Sequence, residues 1–210
     1  MENMTIKDKI ITVLLSANRP GMPDLINHME EIGYFEAPCS GGNHLAKEGG
    51  LAEHSWNVLS IMDADASTKY STEEHFKLSP SITIAALLHD LGKCGDFGKP
   101  NYVENYIKSR KKDDDGNYPM VRSEAKPYVT NKDLLYVPHE VRSVKIASKF
   151  IELTEEEEFA ILYHNGLYGD FRYAIQGKET PLYLLLHFAD MWASRVMEVE
   201  EDATNDTVGD

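Results

Sequence analysis

Hydrophobic and polar positions along the chain alternate in blocks that read mostly as helices. Ile6, Ile10, Ile11, Val13, Leu14 and Leu15 recur at helical spacing and predict a helix over 5–17, ended by Asn18-Arg19-Pro20. A second helix over 22–32 is stopped by Gly33, and the Gly- and Pro-containing stretch 34–50 reads as loop. Leu51, Val58, Leu59 and Met62 share one face of a helix over 51–66. Residues 67–80 are polar, contain His75 and Pro80, and read as a connection. Ile82 to Lys93, I-T-I-A-A-L-L-H-D-L-G-K, is apolar on most faces, the pattern of a helix covered on every side. Gly92 reads as its stop, which puts His89 and Asp90 in its last turn.

Beyond Gly95 the periodicity changes. Aliphatic residues become sparse as far as Pro138, tyrosines and charges take over, and Asp114-Asp115-Gly116-Asn117 is a turn signal between 102–110 and 118–129. This predicts a β-hairpin or a long lid, since a loop of that length in a compact domain is usually functional or disordered. Helical spacing returns over 139–153. Thr154 and Glu157 form a capping box for a helix running to about His164, and Glu155 to Glu158 read as its solvated start at the positive end of the dipole. Pro181 opens a last helix to about Glu198, and the acidic tail 200–210 is expected to be disordered.

Composition narrows the classes. A chain of 210 residues suits a single domain, here 1–210. Its parts are N-terminal helices over 3–33, a core of about 44–198, and the insert 95–138. A net charge of −14 argues against long nucleic acid, which needs a basic footprint. A small anionic substrate remains compatible, because a bound cation and a few lysines can reverse the field inside one cleft. No apolar run reaches the roughly 18 residues of a membrane span. Residues 1–9 carry two acids and lack the order of a signal peptide, so the expected location is cytoplasmic. Cys39 and Cys94 form no C-x-x-C pair and read as two reduced thiols.

Candidate chemistry gathers at the helix ends. His54, His89, Asp90, His139, His164 and Asp190 each lie on, or at the end of, a predicted helix. Asp190 follows Leu184, Leu185, Leu186 and Phe188, and a carboxylate inside so apolar a helix needs a cationic partner or a metal. His89 and Asp90 diverge by only about 100° around a helix axis, so both can reach one cation.

In this ordered set the sequence resembles the HD-domain metal-dependent phosphohydrolase superfamily, in particular its small bacterial and phage members. The likeness rests on H-x-x-x-x-G-G-L-x-x-H (His44, Gly49, Gly50, Leu51, His54), on L-L-H-D-L-G-K (Leu87 to Lys93) and on L-x-H-x-A-D (Leu185, His187, Ala189, Asp190). It implies an all-α helical bundle, with the insert around 95–138 as a β-hairpin or long loop. It also implies a metal held by His54, His89, Asp90 and Asp190. His139 and His164 fall where two-metal members place further histidines, although many of those carry consecutive histidines where this chain has His164-Asn165. Imidazole and carboxylate ligands suit iron, manganese, zinc, cobalt or nickel, with magnesium a further candidate.

The implied activity is hydrolysis of a phosphoester or phosphoanhydride bond in a nucleotide or short oligonucleotide by metal-activated water. Asp90 and Lys93 are the expected catalytic residues. His44, Lys93, Lys99 and Arg110 are expected at the substrate, and His187 behind the ligands. The alternative is a catalytically silent nucleotide-sensing module that keeps the metal site.

Overall fold

A computed structural model describes residues 4–169 and 172–199. Its described residues form seven α-helices and three short antiparallel strand pairs. The chain is therefore mainly helical, with a small strand-bearing insert. Among the described residues, no helix is long and apolar enough to cross a membrane. The acidic tail 200–210 lies outside the described residues.

Helices α1 (Ile6–Ser16) and α2 (Met22–Glu31) lie close to their expected bounds. Helix α3 (Gly50–Lys69) and helix α4 (Thr72–Leu88) pack along each other at the centre. Ile82, Ile84, Ala85, Ala86, Leu87 and Leu88 are all at most 1 % exposed, so the C-terminal half of α4 is enclosed on every face, as its composition requires. Helices α1, α6 (Glu155–Tyr163) and α7 (Pro181–Trp192) supply much of the enclosure.

Several expectations need correction. Residues 67–80 are not a connection: α3 continues to Lys69 and α4 begins at Thr72, with Pro80 inside it. Ser71 caps α4 in a box with Glu74, and burial of the helix's C-terminal half holds it together through the proline. The proline removes one helical N–H, and its lost acceptor is the carbonyl of Phe76, a largely exposed residue that water can reach. His75 thus sits on α4, with Nε2 2.8 Å from Asp63 of α3. Helix α5 (His139–Ala147) is shorter than 139–153, and α7 ends at Trp192 and passes into a π-helical turn, Ala193–Met197.

The capping box of α6 forms as expected, but its acids are not all solvated. The Glu157 side chain is fully buried between Arg19 (2.8 and 3.0 Å) and the Ser81 hydroxyl (2.7 Å), clamping α4 and α6 to the segment after α1.

Gly92 does not end α4. It lies in a 3₁₀ turn, Leu91–Cys94, and serves close packing: a Cβ there would fall 2.1 Å from the His139 carbonyl oxygen. This contact, with the Gly92 N–H donating to Ser143 Oγ at 2.8 Å, brings the start of α5 against the His89–Asp90 end of α4.

The insert is a two-stranded ribbon rather than a simple hairpin. A small pair, β1 (Gly95–Asp96) with β2 (Lys99–Pro100), leads into β3 (Tyr102–Glu104) paired with β6 (Tyr128–Thr130). Beyond it β4 (Tyr106–Lys108) pairs with β5 (Met120–Arg122). Both Ser123 and Pro127 pair with the backbone of Asn105, so 124–126 loop out. That bulge rests on Gly42, where a Cβ would meet the Ala125 carbonyl oxygen and Lys126 Cα at 3.1 Å. The expected turn forms at the tip, where Asp113 N–H donates to the Asn117 carbonyl at 2.8 Å.

Candidate metal centre

Two helix ends are finished in the same way. The last carbonyls of an α-helix lack helical partners and must find others. At the end of α4, His89 Nδ1 reaches back to the Ala86 carbonyl at 2.8 Å, and the Tyr34 hydroxyl donates to Leu87 O at 2.8 Å. At the end of α6, His164 Nδ1 reaches the Ile161 carbonyl at 2.8 Å. A carbonyl only accepts, so each Nδ1 carries a proton and each ring turns its Nε2 inward. His54, in the second turn of α3, shows the same polarity with a carboxylate. Its Nδ1 stands 3.0 and 2.9 Å from the two oxygens of Glu198, which also accepts from Asn57 Nδ2.

These nitrogens converge on Asp90. Its Oδ2 lies 3.4 Å from His89 Nε2 and 3.6 Å from His54 Nε2, while His54 Nε2 is 3.2 Å from Asp190 Oδ1. Its Oδ1 lies 3.1 Å from His139 Nε2 and 3.6 Å from His164 Nε2. The last two ring nitrogens are 3.3 Å apart, and Asn165 Nδ2 is 3.4 Å from His139 Nε2. One carboxylate thus divides two ligand sets: His54, His89 and Asp190 on one side, His139 and His164 on the other.

The arrangement leaves buried polar atoms without directed partners. Among the described residues, His54 Nε2, His89 Nε2 and both Asp90 oxygens are buried atoms with no hydrogen bond of acceptable geometry. Lys93 Nζ stands 2.6 Å from Asp90 Oδ2 as an ion pair, contributing charge but not a well-directed hydrogen bond. Buried acceptors facing buried acceptors are costly unless a cation lies between them. His54, His89 and Asp190 offer ligand atoms within 4.8 Å of one another, as do His89, Asp90 and His164, so these buried clusters could hold a metal ion.

The local electrostatics favour carboxylates as ligands. Burial alone would raise the Asp90 carboxyl, but Lys93, His89, His139 and His164 hold it well below its usual value. Burial is likewise outweighed at Asp190, where His54 keeps the carboxyl low. At His89 burial wins and favours the neutral, ligating imidazole.

A cleft of about 130 Å³ opens beside the cluster, lined among others by His44, Lys93, His164, His187, Asp190 and Arg195. His187 Nδ1 donates to the His164 carbonyl at 2.8 Å, so it braces the residue that presents a ring to Asp90.

Not every expected site residue arrives here. Lys99 donates to the Asp133 carbonyl at 2.7 Å, tying β2 to the loop after β6, and Arg110 is exposed beyond β4 towards the ribbon tip. Neither lines the cleft, because the ribbon runs outward instead of folding over the cluster. Sequence reading passed over Glu198, Asn165 and Arg195. Glu198 in particular meets His54 across 144 positions, with no spacing to announce it.

No family model, curated protein or solved structure matches the chain.

Proposed function

We propose that this chain is a metal-dependent phosphohydrolase of the HD-domain type, acting on a nucleotide or short oligonucleotide. The observation that carries the reading is the Asp90 carboxylate, whose two oxygens are buried, make no hydrogen bond of acceptable geometry and face two separate sets of imidazole nitrogens. Asp90 Oδ2, His54, His89 and Asp190 would hold one divalent ion; Asp90 Oδ1, His139 and His164 would hold a second. Such ions supply a water that ionises near neutral pH and neutralise charge on a phosphoryl oxygen.

The chain's own side chains supply the rest. Asp90 orients both ligand sets and keeps its negative charge through its ion pairs. Lys93 is close enough to Asp90 to share a phosphate oxygen with the centre. His44 and His187 stand on the cleft walls, and Arg195 adds a permanent positive charge. The cleft has room for a phosphoryl group beside these cations.

One contact favours the second reading, a silent nucleotide sensor. Lys93, at 2.6 Å, already neutralises the central carboxylate from within the protein. Phosphate release across a nucleotide panel, with the protein loaded in turn with manganese, iron and zinc, separates the two. Hydrolysis of at least one nucleotide supports the enzyme. Bound metal without release under any of the three supports the sensor.

A further inference from the structure

A third cluster of ligand atoms lies beside the centre, and its sulfur has no part in the hydrolytic reading. Cys39 is free and fully buried, and its Sγ is 3.3 Å from His44 Nε2. These two and a ring nitrogen of His54 lie within 4.8 Å of one another. The loop presenting Cys39 and His44 is cross-braced. Ser40 Oγ accepts from the N–H groups of Asn43 (3.0 Å) and His44 (3.1 Å) and donates to the His44 carbonyl (2.7 Å). Cys39 N–H donates to Leu45 O at 3.2 Å. The C-x-x-x-x-H pair is therefore held in a fixed bite, with His54 as its third member.

The chemistry of this set differs from that of the carboxylate centre. One sulfur and two imidazoles suit zinc and other thiophilic divalent ions, and disfavour magnesium and manganese. His44 turns its Nε2 directly to the Cys39 sulfur, so the two donor atoms already face one point. His44 also lines the cleft, which gives an ion a way in.

We propose that Cys39, His44 and His54 form a second, thiolate-containing cation site for a zinc-class ion, and that filling it costs the Asp90 centre either His54 itself or the Glu198 that orients that ring. On binding, the Cys39 S–H bond breaks, the proton passes to solvent and the sulfur electron pair goes to the ion, with no change of oxidation state. If His54 binds through Nε2, it gives up Asp90 and Asp190; if through Nδ1, it gives up Glu198. The inhibitory half of the inference rests on the hydrolase reading; the site itself does not.

Cobalt(II) titrated into the full-length, reduced protein tests it, as a spectroscopic substitute for zinc. The expected result is a near-ultraviolet thiolate-to-cobalt charge-transfer band alongside visible ligand-field bands. Cys39→Ser abolishes the former and keeps the latter, and His44→Ala moves the midpoint of the charge-transfer band more than about tenfold upward. Excess zinc then inhibits the manganese-loaded parent and not Cys39→Ser. Visible bands without a thiolate band overturn the inference and leave the Asp90 centre standing. No cobalt bands at all overturn both. A thiolate band that survives in Cys39→Ser belongs to Cys94 and also overturns it.

Discussion

Replacing Asp90 by alanine removes both oxygens that face the imidazoles and leaves the buried Lys93 ammonium without its partner. The expected outcome is loss of bound metal and of hydrolysis together, read by elemental analysis and phosphate release on the same preparation. Glu198→Gln is a subtler test. It keeps a carbonyl acceptor for His54 Nδ1 but removes the charge that makes the ring a stronger ligand. Metal affinity should fall about 10- to 100-fold, with little change in secondary structure by circular dichroism. At this scale the sequence was a good guide wherever a polar residue interrupted an apolar run. His89, Asp90 and Asp190 stood out because burial there demands a partner. Glu198 and Cys39 did not, because each is a ligand or support only by virtue of what a distant segment places beside it.

Among elements, the junction of α4 and α5 depends on one missing side chain. Gly92→Ala would set a methyl against the His139 carbonyl and Arg142 Cβ, so α5 must move outward. The expected cost is about 1–3 kcal/mol in urea denaturation, accompanied by preferential loss of the ion on the His139–His164 side. The clamp between α6 and the segment after α1 makes a second prediction. Arg19→Met leaves the buried Glu157 side chain without its cationic partner, and should destabilise the fold by about 3 kcal/mol or more, whereas Glu157→Gln should cost clearly less. Local start signals were legible: the Thr154–Glu157 box fixed α6. The same signal at Ser71–Glu74 is masked by Pro80, whose cost in a helix is partly offset here because the carbonyl it leaves unpaired, that of Phe76, lies on an exposed residue. Gly92 illustrates the converse error. A glycine after an apolar helix reads as a stop, yet its purpose here is contact with a helix some fifty positions on, which no local pattern encodes.

For the whole molecule, the helical part and the ribbon are separable. Strands β4 and β5 are exposed throughout, so replacing 106–122 by a short turn should leave metal content unchanged and the melting temperature nearly so. A large fall in either would mean that the outer ribbon supports the bundle. Helical periodicity made the bundle legible in advance; the ribbon's path was not, since its outward course is set by the looped-out residues 124–126 resting on Gly42. The account as a whole turns on whether Asp90 lies between two cations. Anomalous diffraction from crystals of the manganese-loaded protein measures this directly. The prediction is two peaks about 3.5–4 Å apart, one on each side of the Asp90 carboxylate. A map with no peak within bonding distance of Asp90 would contradict it.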